Sequence, residues 1–361
     1  MIKHFGLDRQ YLNLKHELLD ATDDVLKSGI FCDGSYTNRL ENWLANKTKC
    51  EYAVVVHSGT QALEIIAKYL SYHSLLSIPL HIRIPNLTYR ATMNAFANSN
   101  SYYNANGKVF NIELADTDSH GIMLPPEKES MLTHNCYVGL YGAPTPDSLT
   151  SNDIVDGAQH WLLCDGNVGL GMSISFDPTK NLPASGNGGA IVTNNIELYE
   201  FAKSYKDNGK YLSTEIMASG TNSKMSEIDC AHVLVRARHI DRWQVRRRKI
   251  RQYYIKEFEN LPIRCLSKKF LFHADQKFVI TTDDRQALKM HLLKHKIEVK
   301  VHYSETISEL PSAKFYCDKR LDFVSTSAML SRSVLSLPIY PELLDSEVEY
   351  IATMVKAFYD K

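Results

Sequence analysis

Hydrophobic positions recur at approximately helical spacing over residues 11–27, where Leu12, Leu14, Leu18, Leu19, Val25 and Leu26 mark one helix. Ser28-Gly29 signals its end, and a second helix is expected over about 37–45, after the turn Asp33-Gly34-Ser35. Short β-rich runs follow at 51–56, 81–85, 108–113, 137–141, 153–155, 173–176 and 190–193. Helical patterns at 62–70, 86–94 and 196–207 alternate with them. Strands alternating with helices predict parallel βαβ units, with ligands at the carboxyl ends of the strands. Ser226 and Asp229 form an S-x-x-D capping pattern that opens a long helix, expected to run to about Phe258. The composition changes after Asn260. Residues 263–301 alternate strands with a helix at 284–294, 335–341 is an apolar strand-to-turn segment, and Asp345-Ser346 caps a last amphipathic helix through Phe358. The pattern predicts an α/β fold: a large domain over 1–250 and a smaller α+β domain over 251–361.

Composition narrows the function classes. At 361 residues the chain is too long for one ordinary core. Its zero formal net charge argues against a dedicated polyanion binder. A hydrophobic share of 44% with 23% charged residues is ordinary for a soluble globular protein. The seven cysteines are scattered without a C-x-x-C pair, which suggests reduced thiols in a cytoplasmic protein and neither a disulfide framework nor a zinc site. Residues 1–10 lack an apolar signal core, and no stretch approaches the roughly 20 apolar residues of a membrane span.

Four places carry candidate chemistry. Lys180 follows the strand-breaking Asp177-Pro178-Thr179 and precedes the glycine-rich turn 186–189. A lysine on a turn leaving a sheet edge can trap a carbonyl if desolvation lowers its pKa; the plain alternative is a solvated surface lysine. Ser58-Gly59-Thr60 stands between a strand and a helix, where backbone N–H groups and the helix dipole favour a phosphate; a simple N-cap is the competing reading. Tyr89 faces the same sheet edge and can stack on a planar ring or pack as helix core. Asp156, at the tip of a parallel strand, is a site acid or a helix N-cap. Arg236, Arg238, Arg242, Arg246, Arg247, Arg248, Lys249 and Arg251 make the long helix basic, and a solvated helix face is preferred over a nucleic-acid surface. No histidine has metal-ligand spacing.

In order and spacing these residues resemble the DegT/DnrJ/StrS sugar aminotransferases, within the fold-type I enzymes that use pyridoxal phosphate. The marks are Ser58-Gly59-Thr60-Gln61-Ala62-Leu63, residues 85–94, 156–159 and 175–182 with Gly188-Gly189, 220–227, His302-Tyr303 and 335–338. The resemblance implies a mostly parallel central sheet flanked by helices, with a smaller C-terminal α+β domain. It assigns Lys180 to hold the cofactor and move the reacting proton, and Asp156 to pair with the pyridine nitrogen. It puts the phosphate on Gly59, Thr60 and the Ser175 hydroxyl beside Ser58, Tyr89 on the ring face, and Gln159 on the phenolic oxygen. Asn222 is assigned to the phosphate of a neighbouring subunit, which implies a homodimer. The implied reaction is a ping-pong transfer from an amino acid, expected to be glutamate, to a nucleotide-linked keto-sugar. The Gly188-Gly189 pair leans towards a 4-keto over a 3-keto acceptor. Asn187, Asp207-Asn208-Gly209 and Gly157 depart from the family pattern, the first two near the expected sugar. A sugar dehydratase of the same fold would carry a histidine in place of Lys180, and a non-catalytic relative would be expected to lose Lys180 or Asp156.

Overall fold

The computed structural model describes residues 1–361 apart from 74–78, 101–108, 127–132, 212–213, 216–218, 322–324 and 361. Lys108, in the run expected as a third strand, lies outside the described residues.

Seven strands build most of the main sheet: β1 (Tyr52–Val56), β2 (Leu80–Pro85), β3 (Phe110–Ala115), β4 (Thr133–Val138), β5 (Ile154–Asp156), β6 (Gly171–Ser175) and β7 (Gly189–Thr193). Two short strands, β8 (Lys210–Tyr211) and β9 (Thr214–Glu215), form a ribbon of their own. A second sheet is β10 (Arg264–Cys265), β11 (Phe278–Thr281) and β13 (Val334–Leu337), while β12 (Cys317–Lys319) joins the main sheet beside β3. The main sheet has the order β1-β7-β6-β5-β4-β2-β3-β12. Only β7 runs against its neighbours. Val56 pairs with Gly189, Gly189 with Ser175, and Asp156 with Ser173. The register therefore brings the ends of β1, β6 and β5 and the start of β7 to one edge.

The helices are α1 (Leu7–Ser28), α2 (Ser35–Thr48), α3 (Gly59–His73), α4 (Arg90–Asn100), α5 (Ile196–Tyr205), α6 (Glu227–Ala237), α7 (Ile240–Glu257), α8 (Arg285–Lys294), α9 (Ala313–Tyr316), α10 (Thr326–Ser333) and α11 (Asp345–Tyr359). Helix α1 ends at Gly29 in the left-handed region, where the expected glycine cap relieves the chain of a Cβ clash. One core packs Ile65, Ile66 and Phe96 against Val54, Ile82 and Phe110; a second joins α1 and α2 to the other sheet face through Leu14, Leu40, Leu44 and Ile174. A third core gathers Tyr254, Phe258, Phe278, Leu288, Leu335 and Ile351 around the small sheet. A boundary at residue 250 falls inside α7, and Ile307, Leu310, Ala313 and Cys317 return to the first core. We propose a division in which residues 307–319 belong with the large unit.

Several expectations are corrected. The long helix expected from Ser226 to Phe258 breaks at Arg238-His239. Helix α6 packs with α1 and α2; α7 starts in that core with Ile240 and Trp243 and passes to the small sheet from Ile250 on. The S-x-x-D pattern makes no side-chain cap at Ser226; the Asp229 carboxylate instead accepts the N–H groups of Ser185 and Gly186, at 3.1 and 2.8 Å. The basic helix is not simply a solvated face. Arg236, Arg247 and Arg251 are buried, Arg247 donates to the Ile339 carbonyl at 2.6 Å, and Arg251 pairs with Asp275 at 2.9 Å. The 86–94 helix starts only at Arg90, because the Asn86 side chain is occupied elsewhere, donating to Ser327 Oγ at 2.8 Å and accepting from Ser308.

Candidate active site

Residues Ser58, Gly59, Thr60, Tyr89, Asp156, Gln159, Ser175 and Lys180 line one cleft of about 530 Å³, together with Asp177, Asn187, Lys277, His302 and Tyr303. Asn222 is not among them: it is exposed and its backbone bridges to Asp207.

The floor is the start of α3. Ser58 Oγ accepts the Gln61 N–H at 3.1 Å, so the serine is an N-cap as well as a cleft residue. Gly59 and Thr60 head the helix, where no intrahelical acceptor precedes their N–H groups. A Cβ on Gly59 would lie 2.7 Å from the Ser175 Cβ, and one on Gly189 would lie 2.3 Å from the Ser58 carbonyl carbon. Both glycines thus let three chain segments meet at the helix end. A Cβ on Gly188 would strike Met225, at 2.4 Å, and one on Gly157 would strike Met172, at 2.6 Å. A Cβ at 157 would also lie 2.7 Å from the Ser173 carbonyl oxygen, which the backbone cannot easily yield.

Asp156 closes β5 and is buried. Its Oδ2 accepts the Thr92 hydroxyl at 2.9 Å and its Oδ1 the Ala158 N–H at 3.1 Å. Burial pushes its pKa up, while Thr92, Ala158 and the nearby Lys180 pull it back. Lys180 is half-buried on the turn after β6. Burial lowers its pKa, opposed by Asp156 and Asp177. The turn is fixed from below: Asp177 accepts the Thr179 N–H at 2.9 Å, and Lys180 N–H bonds to the Asp177 carbonyl at 2.9 Å. Gln276 holds both flanks, accepting the Asn181 N–H and donating to the Thr179 carbonyl, each at 2.8 Å.

Gln159 Oε1 accepts the Tyr141 N–H at 3.0 Å, which orients the amide so that its NH₂ is the end left for the cleft. Tyr89 sits just before α4 on the rim, exposed, with its ring 5.8 Å from that of Tyr303. The Tyr141 hydroxyl donates to the His302 carbonyl at 2.5 Å, and His302 Nδ1 lies 2.8 Å from Ser336 Oγ. Burial, with Lys277 adding, drives the His302 pKa down to about 2, so this imidazole is neutral.

Thr92, Tyr141, Gln276 and Lys277 were not singled out from the sequence. Three of them act on the site through neighbours far away in the chain, so no local motif marks them. Lys277 did leave a trace, as a lysine leading directly into the apolar strand Phe278-Val279-Ile280.

A helix start, a buried carboxylate at the tip of β5 and a lysine on the turn after β6, gathered in one cleft, match the fold type I arrangement of pyridoxal-phosphate-dependent transferases. The chain belongs to the DegT/DnrJ/EryC1/StrS aminotransferase family, whose model matches residues 13–112 and 159–356. The matched segments include Lys180 and stop short of Asp156. The chain is 27% identical to a dTDP-3-amino-3,6-dideoxy-alpha-D-galactopyranose transaminase of Aneurinibacillus thermoaerophilus, over 98% of each chain. It is 25% identical to a GDP-perosamine synthase of Escherichia coli O157:H7, over 98% of this chain and 96% of the other. Its fold matches DesV of S. venezuelae with a TM-score of 0.87 at 24% identity, over 100% and 99% of the two chains. It also matches the Bacillus subtilis ntdA structure, which holds the cofactor pmp, with a TM-score of 0.84 at 22% identity over 100% and 85%.

Pyridoxal phosphate is the cofactor of this family, and the cleft fits it on three counts. The glycine cradle at 59 and 189 leaves the helix start open to a phosphate; the buried Asp156 offers a carboxylate to a ring nitrogen; and Lys180 offers an amine with a lowered pKa.

Proposed function

We propose that this protein transfers an amino group from an amino-acid donor, glutamate, to a keto-sugar carried on a nucleotide. The observation that carries the reading is the placement of Lys180 and Asp156 in one cleft with the start of α3. When bound, pyridoxal phosphate supplies an electron sink for negative charge developing at the donor's α-carbon. The residues of the chain do the rest. Gly59, Thr60 and Ser175 hold the phosphate, Asp156 keeps the ring nitrogen protonated, and Gln159 donates to the phenolic oxygen. Tyr89 covers a ring face from the rim. The Lys180 amine, whose pKa is lowered by burial, would take the donor's α-proton and return it two atoms away, on the far side of the transferred nitrogen. Asn222, exposed and outside this cleft, is suited to reach the phosphate of a second copy, which makes the working unit a homodimer.

A sugar acceptor is supported by the names of relatives, which include dTDP-linked 3-amino-sugar transaminases and a UDP-linked 3-dehydro-glucosamine aminotransferase. The lean towards a 4-keto acceptor rested on Gly188-Gly189, but Met225 and the Ser58 backbone require those glycines for packing. Packing accounts for the pair without reference to the sugar, and the names of these relatives favour 3-keto acceptors, which we place first. The test is product analysis by mass spectrometry after incubation with glutamate and a panel of dTDP-, UDP- and GDP-linked 3- and 4-keto-sugars. A mass change from C=O to CH–NH₂ on one of them supports the reading. Amination of none, with glutamate still consumed, would move the acceptor to another class of ketone.

A further inference from the structure

Lys277 is 5% exposed and lines the same cleft as Lys180. It stands directly before β11, where strand alternation puts Phe278 into the small-domain core and Val279 against Leu140 and Tyr141 on the other face. Lys277 shares that second face, and its own N–H bonds to the Tyr141 carbonyl at 3.2 Å. Among the described residues its Nζ has no hydrogen-bond or ion-pair partner. The one acid that acts on it, Asp177, accepts the Thr179 N–H and hydroxyl through Oδ1 and makes no ion pair with Lys277. The groups around Lys277 are otherwise cationic or neutral, namely Lys180, Arg247 and His302. A buried ammonium without a counter-ion costs free energy, and burial with Lys180 nearby holds this one well below the ordinary lysine pKa. Only an anionic ligand would reverse that cost.

The position says which anion. Any substrate must bring its reacting carbon to Lys180. In an amino-acid donor that carbon itself bears a carboxylate, one bond away. In a neutral sugar the reacting ring carbon bears no charge, and the nucleotide's phosphates lie several bonds off. We infer that Lys277 binds the α-carboxylate of the amino-acid donor and is the residue that selects an α-amino acid over a simple amine. This rests on the amino-transfer reading above. Lys277 is a specificity-determining residue; it holds the donor while Lys180 moves the proton.

The experiment compares wild type, Lys277→Met and Lys277→Arg. Methionine is close to lysine in volume, and arginine keeps the charge. Calorimetry on the apoprotein measures binding of 2-oxoglutarate, the keto acid of the proposed donor. Rapid mixing measures half-saturation of the pyridoxal-phosphate-loaded protein by glutamate and by 4-aminobutyrate (which lacks an α-carboxylate), and of the pyridoxamine-phosphate-loaded protein by a neutral keto-sugar and by a uronic-acid keto-sugar. For Lys277→Met the expected result is 2-oxoglutarate binding and glutamate half-saturation weakened about 10–100-fold, with arginine restoring part of the loss. 4-Aminobutyrate and the neutral keto-sugar should stay within about threefold of wild type, since neither presents an α-carboxylate. Equal glutamate saturation in wild type and Lys277→Met overturns the inference. So does an equal loss with glutamate and the neutral sugar, which would make Lys277 a packing residue. A loss confined to a uronic-acid keto-sugar would assign the carboxylate to the acceptor and overturn the donor assignment. If wild type reacts with no amino donor the amino-transfer reading fails, and the calorimetry still decides whether Lys277 holds a carboxylate.

Discussion

Replacing Gln276 with alanine tests how the reactive lysine is held. Gln276 is buried, and its amide bonds to the backbone on both sides of Lys180, to the Asn181 N–H and to the Thr179 carbonyl. Gln276→Ala strands one donor and one acceptor away from water. At about 1–3 kcal/mol for each unsatisfied group, the cost is roughly 2–6 kcal/mol. For a chain of 361 residues the entropy of unfolding makes 1 kcal/mol worth roughly 1.3 °C, so the apoprotein should melt about 3–8 °C lower. The turn carrying Lys180 also loses its fixed position, and misplacement of a reacting group by an ångström lowers the rate on the order of 100-fold. Gln276→Glu keeps the acceptor for Asn181 but, when ionised, cannot donate to Thr179, and should fall between wild type and alanine. Melting followed by fluorescence and turnover with glutamate are measured side by side, with the cofactor's visible band as a check on binding. An alanine variant that melts within a degree of wild type and turns over normally would refute the clamp.

Three other outcomes follow from the same geometry. Gly189→Ala puts a methyl group 2.3 Å from the Ser58 carbonyl carbon, so the start of α3 must shift; a titration should show cofactor affinity down at least tenfold and stability down about 1–3 kcal/mol, whereas unchanged affinity would detach the phosphate site from this cradle. Because burial lowers the Lys180 pKa, the neutral, nucleophilic amine is present at lower pH than for a surface lysine; capture of added pyridoxal phosphate by the apoprotein should reach half its maximal rate below pH 10.5, and a midpoint at 10.5 would contradict the desolvation. The Glu227 carboxylate accepts the N–H groups of Gly34, Tyr36 and Thr37, at 3.0, 2.8 and 2.8 Å, so Glu227→Ala should cost about 3–5 kcal/mol in urea unfolding, and a loss under 1 kcal/mol would show that water replaces it.

Much of this protein was legible in the sequence where the signal is local. The β-rich run at 51–56 followed by Ser58-Gly59-Thr60 gave the strand and the helix start correctly, because the serine cap and the glycine act within a few residues. Asp156 at the tip of β5 and Lys180 after β6 followed from strand alternation and from Pro178. What failed was long-range. No glycine or proline marks the break between α6 and α7 at Arg238-His239; α6 packs in the core it shares with α1 and α2, whereas α7 leaves that core after Trp243 for the small-sheet core at Ile250 and Tyr254, and no local residue announces that change of partner. Charge alone could not show that Arg236, Arg247 and Arg251 turn inward, since their partners, Gln10, Ile339 and Asp275, lie far along the chain or across it. For the same reason Asp229 resembled a cap for its own helix although it holds the loop at Ser185-Gly186. Among the described residues no helix is long and apolar enough to cross a membrane.

The most direct measurement is a visible absorption titration of the purified protein and of Lys180→Ala. The account predicts that wild type supplied with pyridoxal phosphate develops the visible band of the lysine-held cofactor. Glutamate should remove that band and a nucleotide-linked keto-sugar should restore it, while Lys180→Ala never completes the cycle. A wild-type protein that takes up no pyridoxal phosphate at saturating concentration, or a Lys180→Ala variant that cycles as wild type does, would contradict it.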